Sequence, residues 1–502
     1  MKQQRLLAPL LSALALLPLA ATPAKAQIPV ESPNIILILT DDQGYGDMSC
    51  HGQPFLKTPN IDKLYSQSTR FTNFHASPTC APTRAALMTG LAPFKGGITH
   101  TILERERLAL GITTLAEVLQ SAGYETGIFG KWHLGDEDEY QPENRGFDEV
   151  FIHGAGGIGQ TYPGSQGAVP GTGYFNPIIK HNGTFEQTEG YCTDVFFQQA
   201  LGWIKHVNEE NAHSATKHPF FAYIATNAPH APFIVAESYK EPFRKFTEDE
   251  DAAAFFGMIV NIDENVGLLM EKLDEWGLAD NTLLMFMTDN GTVKGSPYYN
   301  AGMQGAKGSL HEGGSRVPLF MRLPGQIPAG VDVTRMTRHY DLFPTLAEIA
   351  GADVPAGLDG RSLVPLIKDA PGDWQDPWQD RFTFFHLGRW GKKGAPAPWD
   401  EGNTDLDKAE FEKFAVRTED WRLVGLNELY KINEDPGETA NVITDNPEVA
   451  QAMLEAYERW WDSVRPLLVN EDASLDVPKP FVVQFEKQKA ERGIPQWARP
   501  EL

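Results

Sequence analysis

Cysteine is almost missing from this chain, whose 502 residues contain only Cys50, Cys80 and Cys192. Three thiols cannot staple a protein of this length, so a disulfide scaffold is excluded and the fold must rest on a hydrophobic core. Positive charge is also scarce, with 43 Lys and Arg against 67 Asp and Glu and a formal net charge of -24. A groove built to neutralise a polynucleotide would oppose that field, so no nucleic-acid partner is expected. A small anionic substrate remains compatible, because local cations in a pocket outweigh distant screened charge. After the first residues there is no uninterrupted apolar run of about eighteen residues, and no stable membrane insertion is expected. The chain also lacks internal repeats.

What is present begins with a secretory pattern. Lys2 and Arg5 precede an apolar run from Leu6 to Ala21, and Ala24-Lys25-Ala26 forms a small-x-small cleavage site. Residues 1–26 are therefore predicted to be a signal peptide, making the protein exported, periplasmic or secreted. Pro9, Pro18 and Pro23 argue against a membrane-spanning helix.

Hydrophobic residues make up 41% of the chain, enough for a large core. The run from Asn34 to Thr40 reads as a strand buried on both faces of a parallel sheet. Asp41 and Asp42 then fall at its carboxyl edge, where open α/β sheets place ligands. Thr114 is a predicted helix cap ahead of Leu115, Val118, Leu119 and Ala122, and Gly123 is the stop. A strand over 124–129 follows and delivers Lys131 and His133. Ile259, Ile262, Val266, Leu269 and Leu273 predict a helix over 256–276. The strand predicted next, over 283–287, ends in Thr288, Asp289 and Asn290.

This alternation predicts an α/β fold, with a large, mostly parallel sheet sandwiched by helices and a smaller C-terminal α+β subdomain. A composition shift after Ile367 puts the boundary near residue 375, giving a catalytic domain over 27–375 and a subdomain over 376–502. The subdomain is predicted to contain strands over 413–417 and 421–426, a helix over 447–461, and a tail that either wraps the domain or stays mobile. Residues 154–177 and 388–398 are Gly/Pro-rich and aperiodic, so they read as loops, either over a cleft or plainly on the surface.

Cys80-Ala81-Pro82-Thr83-Arg84 places a cysteine at the start of a predicted helix, with Pro82 in its first turn. The free N–H groups of such a helix end, with Arg84 nearby, would hold a tetrahedral oxyanion against position 80. Asp41, Asp42, Asp289 and Asn290 are hard oxygen ligands at two strand ends, suited to Ca²⁺ or Mg²⁺. No histidine cluster of the kind a zinc phosphatase needs lies beside Asp289.

Cys-x-Pro-x-Arg followed by Thr89-Gly90 resembles the signature of the type I sulfatases, formylglycine-dependent members of the alkaline phosphatase superfamily. Other stretches are similar to the same family and appear in its order: Pro33-Asn34, Thr40 to Gly46, Thr58 to Asp62, Gly130 to Gly135, Asn227 to His230, Thr288 to Gly291, Lys307 to Gly314 and His339 to Thr345. The resemblance runs from Pro33 to about Leu366 and returns over 428–441.

The resemblance implies an arylsulfatase-like sulfuric ester hydrolase. Its nucleophile would be formylglycine derived from Cys80 by a formylglycine-generating enzyme, and one Ca²⁺ would be held by Asp41, Asp42, Asp289, Asn290 and position 80. Arg84, Lys131, His133, His230 and Lys307 would complete the pocket. Arg84, Lys131 and Lys307 would neutralise sulfuryl oxygens, His230 would protonate the leaving group with the help of Lys307, and His133 would act as base for sulfate release. The substrate would be a sulfated small molecule or a sulfated carbohydrate.

The chain departs from the family after Gly146-Phe147-Asp148, where a familiar Ser or Asp contact is replaced by a segment containing His153. His153 either takes its place or sits in the loop. Rival readings are a phosphonate monoester or phosphodiester hydrolase using the same nucleophile, and a binding protein without turnover on the same fold. Pairing of Cys50 with Cys192 stays open, and the sequon at Asn182 reads as a surface turn.

Overall fold

The computed structural model describes residues 32–99, 107–165, 173–367, 378, 381–388, 409, 411–468 and 479–502. The predicted signal peptide, the boundary near residue 375 and nearly all of the 388–398 loop lie outside them.

A ten-stranded sheet organises the chain. From one edge to the other it runs Val331–Val333, Thr69–Phe71, Leu319–Arg322, Thr282–Thr288, Asn34–Thr40, Phe220–Ala225, Glu125–Lys131, Glu149–His153, Ile178–His181 and Thr184–Gln187. The strands from Thr282–Thr288 to Glu149–His153 are mutually parallel, and antiparallel strands flank them on both sides. Asn34–Thr40 lies at the centre and is buried along its whole length, as an apolar strand covered on both faces must be.

Helices cover the sheet. Leu115–Ser121 begins with a capping box in which Thr114 and Glu117 satisfy each other's backbone N–H groups. The Glu250–Glu275 helix starts six residues before its predicted onset, because Asp249 accepts from the Asp251 and Ala252 N–H groups and Ala252 to Ala254 are buried. It is long and apolar enough to cross a membrane, yet most of its apolar part is buried inside the protein. Asn261 and Asn265 on this helix both donate to Asp194 of the Cys192–His213 helix, at 2.7 and 2.8 Å.

The C-terminal strands Thr383–His386, Phe414–Arg417, Trp421–Val424 and Glu428–Lys431 form the predicted small antiparallel sheet. The Pro447–Val464 helix packs on it, with Tyr457 stacked on Phe414 at a centroid distance of 3.8 Å. The tail wraps the molecule, and Pro480–Arg492 is a helix that the sequence pattern did not reveal. Phe481 and Phe485 stack on Tyr162, while Gln488 accepts from the Phe185 N–H and donates to its carbonyl. The tail thereby satisfies an edge strand that would otherwise expose unpaired backbone groups.

The three cysteines are free thiols, so Cys50 and Cys192 are not paired. Asn182 sits in the hairpin turn between Ile178–His181 and Thr184–Gln187, with its side chain bonded to Val150 N and Glu149.

His181, in the same hairpin, lies between Glu149 at 2.9 Å and Glu186 at 3.1 Å. Burial opposes its protonation, but the two carboxylates prevail and raise its pKa to about 9. The stability this contributes is fully present below the ordinary histidine pKa of about 6.5 and is lost as pH rises through about 9. His181→Gln is accordingly expected to flatten the decline in melting temperature between pH 7 and 9, and parallel wild-type and variant profiles would contradict this account.

Candidate active site

All the parallel strands end at one edge of the sheet, and each brings a polar group there. Asn34–Thr40 leads into Asp41 and Asp42, and Thr282–Thr288 into Asp289 and Asn290. Glu125–Lys131 ends in Lys131 with His133 two residues on, and Phe220–Ala225 leads to His230. Backbone bonds knit these ends together: Asp289 N donates to Thr40 O and Asp41 N to Ala228 O, both at 3.1 Å. Asp42 and His133 hold left-handed φ angles of 67° and 64°, a conformation uncommon for non-glycine residues.

Cys80 opens the Cys80–Thr89 helix, every residue of which is buried. Thr83 fastens the start of this helix to the sheet edge through a 2.7 Å bond from its hydroxyl to Asp289 O. Gly90 ends it in a left-handed conformation, with Phe343 only 3.0 Å from where a Cβ would stand. The helix end that should hold an anion therefore faces the acidic strand ends directly.

The side chains make one buried network. Cys80 Sγ and carboxylate oxygens of Asp41 and Asp289 lie within 4.8 Å of one another. Arg84 donates to Asp289 Oδ2 and to the Lys131 carbonyl, each at 3.0 Å. Lys131 Nζ reaches Asp41 Oδ2 at 2.5 Å. Lys307 Nζ is 2.6 Å from Asp42 Oδ1, and Asn290 Nδ2 donates to the same oxygen at 3.0 Å. His230 donates through Nδ1 to the Ala231 carbonyl at 2.6 Å, with Nε2 3.7 Å from Asp42 Oδ2. The structure thus brings Asp41, Asp42, Cys80, Arg84, Lys131, His230, Asp289, Asn290 and Lys307 together. His133 is buried beside them, with neither ring nitrogen bonded.

The electrostatics distinguish the roles these groups can take. Burial pushes the Cys80 thiol upward against the pull of Lys131 and Lys307, so the unmodified residue is a poor thiolate. His133 is held well below its ordinary range by burial and then by Lys131 and Arg84, which keeps it neutral with a free lone pair. Burial acts against ionisation of Asp41, but Lys131 and the neighbouring cations keep it charged. Asp289 is pushed up to about 8, first by burial and then by Asp41.

Two crowded carboxylates of this kind want a cation. Asp41 Oδ1 and Asn290 Oδ1 are buried oxygens without a partner, and an all-oxygen donor set of this sort suits a hard divalent ion. The residues present fit such an ion.

His153 ends its strand in register with Lys131. It bonds through Nδ1 to the Gly154 carbonyl at 3.0 Å, leaves Nε2 unpartnered, and is held neutral by burial with a pKa of about 3. It therefore belongs to the sheet edge and not to the loop. Gly156 lies against His133, so close that a Cβ there would stand 2.7 Å from Nε2. Its only sequence signal is an aperiodic glycine-rich stretch.

The chain is similar to known proteins. A family model described as Sulfatase matches residues 33–352. Human arylsulfatase A is 32% identical over 463 residues, covering 84% of this chain and 86% of that protein. Human N-acetylgalactosamine-6-sulfatase is 31% identical over 379 residues, covering 71% of this chain and 69% of that protein. The solved structure of Ps i-CgsB in complex with k-i-k-neocarrahexaose matches with a TM-score of 0.74 at 29% identity, covering 92% of this chain and 98% of that one. With its chain-long likeness to enzymes that cleave sulfate esters, and with the family's segments meeting at one sheet edge, this chain belongs to the sulfatase family and is a sulfuric ester hydrolase.

Proposed function

We propose that the protein is an exported sulfatase acting on sulfated carbohydrates, with Cys80 oxidised to formylglycine by a formylglycine-generating enzyme and one calcium ion bound beside it. The observation that carries this reading is the meeting, at one helix N-terminus, of Cys80 with two carboxylates and the cations Arg84, Lys131 and Lys307. Asp41, Asp42, Asp289, Asn290 and position 80 would hold the ion, which supplies positive charge that polarises a nucleophile and a sulfuryl oxygen. Oxidised to the aldehyde and hydrated, position 80 would offer one hydroxyl for attack on sulfur and a second through which sulfate could leave.

This chain's own residues do the rest. Arg84, Lys131 and Lys307 neutralise charge on the sulfuryl oxygens. His230, its Nδ1 fixed by the Ala231 carbonyl, has Nε2 available to protonate the departing oxygen. His133, neutral and without a partner, accepts the proton whose removal releases sulfate. The carbohydrate substrate class is supported by the likeness to Ps i-CgsB with its bound neocarrahexaose and to N-acetylgalactosamine-6-sulfatase.

The test is turnover of 4-nitrophenyl sulfate and of sulfated galactosides, with and without a calcium chelator. Chelation is expected to cost on the order of 10²-fold or more, with recovery on adding calcium. Activity indifferent to the chelator would remove the ion from the reading, and faster cleavage of phosphonate esters than of sulfate esters would overturn the substrate assignment. Export predicts a mature protein beginning at Gln27, and secreted protein that still begins at Met1 would contradict it.

A further inference from the structure

The oxygen ligands Asp41, Asp42, Asp289 and Asn290 come from two chain segments, one leaving the Asn34–Thr40 strand and the other the Thr282–Thr288 strand. Each segment turns just beyond its ligands. In the first, Asp47 Oδ2 accepts from the Gly44 N–H at 2.8 Å, and Asp47 N donates to Gly44 O at 3.1 Å. In the second, Thr292 Oγ1 accepts from the Gly295 N–H at 2.8 Å. Asp47 and Thr292 are both buried. The two turns interlock, since a Cβ on Gly44 would stand 2.6 Å from Thr292 Cβ and one on Gly295 would stand 1.9 Å from Asp47 Oδ1. Each turn thus presents a bare glycine to the side chain that fastens the other. Main-chain bonds extend the contact, with Val293 N donating to Asp42 O at 3.2 Å and Lys307 N to Thr292 O at 3.0 Å.

We propose that Asp47 and Thr292 are positioning residues for the metal ion, whose interlocked turns hold the Asp41–Asp42 pair and the Asp289–Asn290 pair at one spacing before the ion arrives. Carboxylates brought together repel one another. A cradle built on two independent segments would have to be closed against that repulsion by the ion itself, and the closing would be subtracted from its affinity. A clasp already formed by the chain removes this cost from binding. Groups that orient metal ligands without touching the metal typically govern its affinity by about 10- to 100-fold. The same clasp reaches Lys307 through the Thr292 carbonyl, so the cation that pairs with Asp42 is set from the same point. This inference rests on the calcium reading of the site.

The experiment is calorimetric titration of calcium into protein stripped of divalent ions, for wild type, Thr292→Val, Thr292→Ser and Asp47→Asn, with the melting temperature of each metal-free protein measured alongside. Thr292→Val keeps the shape of the side chain and removes the oxygen that fastens Gly295, so its calcium Kd should rise on the order of tenfold or more. Thr292→Ser keeps that oxygen and should stay within about threefold of wild type. Asp47→Asn offers the Gly44 N–H a weaker acceptor and should shift Kd in the same direction as Thr292→Val, and it carries the comparison if Thr292→Val does not fold. Sulfatase activity lost in these variants at low calcium should return as calcium is raised. A Kd equal to that of wild type in Thr292→Val and Asp47→Asn, with only the melting temperature lowered, would overturn the clasp and leave the calcium reading intact. Thr292→Ser binding as weakly as Thr292→Val would assign the effect to the lost methyl group and overturn the role of the hydroxyl. Wild-type protein that takes up no calcium would overturn the calcium reading, and the clasp with it.

Discussion

Cys80→Ser is expected to lose steady-state sulfate-ester turnover by on the order of 10³-fold or more and to accumulate one sulfuryl group per protein molecule. The serine hydroxyl would occupy the start of the same helix, beside Asp41 and Asp289 and within reach of the same cations. The first transfer can therefore still occur, giving a single burst of released alcohol. On the proposed mechanism serine would lack the second hydroxyl whose deprotonation by His133 would expel sulfate, and a sulfated serine is a stable ester. A plain cysteine is no substitute either, since burial keeps its thiol protonated. Intact-mass measurement before and after substrate, set beside the burst amplitude, tests this directly. Serine protein that turns over like wild type would sink the formylglycine mechanism, and a loss without any bound sulfuryl group would mean that the substitution disturbs the site rather than trapping it.

The parts of this fold legible in the sequence are those whose signal is local. Asn34–Thr40 and Thr282–Thr288 are apolar runs ending in acids, so both the strand and the chemistry at its end can be read from consecutive residues. Thr114 and Glu117 form their capping box within a single turn. The onset of the Glu250–Glu275 helix is not legible in the sequence because Ala252 to Ala254 lack the large apolar side chains that mark periodicity. The tail helix buries little more than Phe481, Phe485 and Gln488, and its partners Tyr162 and Phe185 lie some three hundred residues upstream.

The site divides in the same way. Its charged residues could be found through the resemblance, residue by residue, because each stands in a distinctive short segment. The packing of Gly156 on His133 could not, because it comes from a loop whose glycines carry no pattern.

Glu312→Gln is expected to cost about 3–5 kcal/mol of stability, the usual penalty for removing one partner from a buried ionic group. Glu312 is 1% exposed and receives Arg417 Nε at 3.0 Å and Arg422 Nε at 3.2 Å, both from the C-terminal sheet. Glu438 accepts from the Glu312 N–H at 2.8 Å, so the small sheet and the loop behind it grip the segment five residues after Lys307. Removing the charge leaves two buried guanidiniums facing an amide.

Burial opposes ionisation of Glu312, yet Arg417, with His75 and Arg422, outweighs it and holds the carboxyl well below its ordinary range. A depressed folded-state pKa contributes stability that is fully present above the unfolded value of about 4.3 and is lost as pH falls below it. The stability gap between wild type and Glu312→Gln should therefore be widest near neutral pH and should close on acidification. Denaturant unfolding measured across that range checks this. A gap that stays constant as pH falls would mean that the carboxylate acts through packing alone, and that the C-terminal sheet holds the Lys307 segment by shape and not by charge.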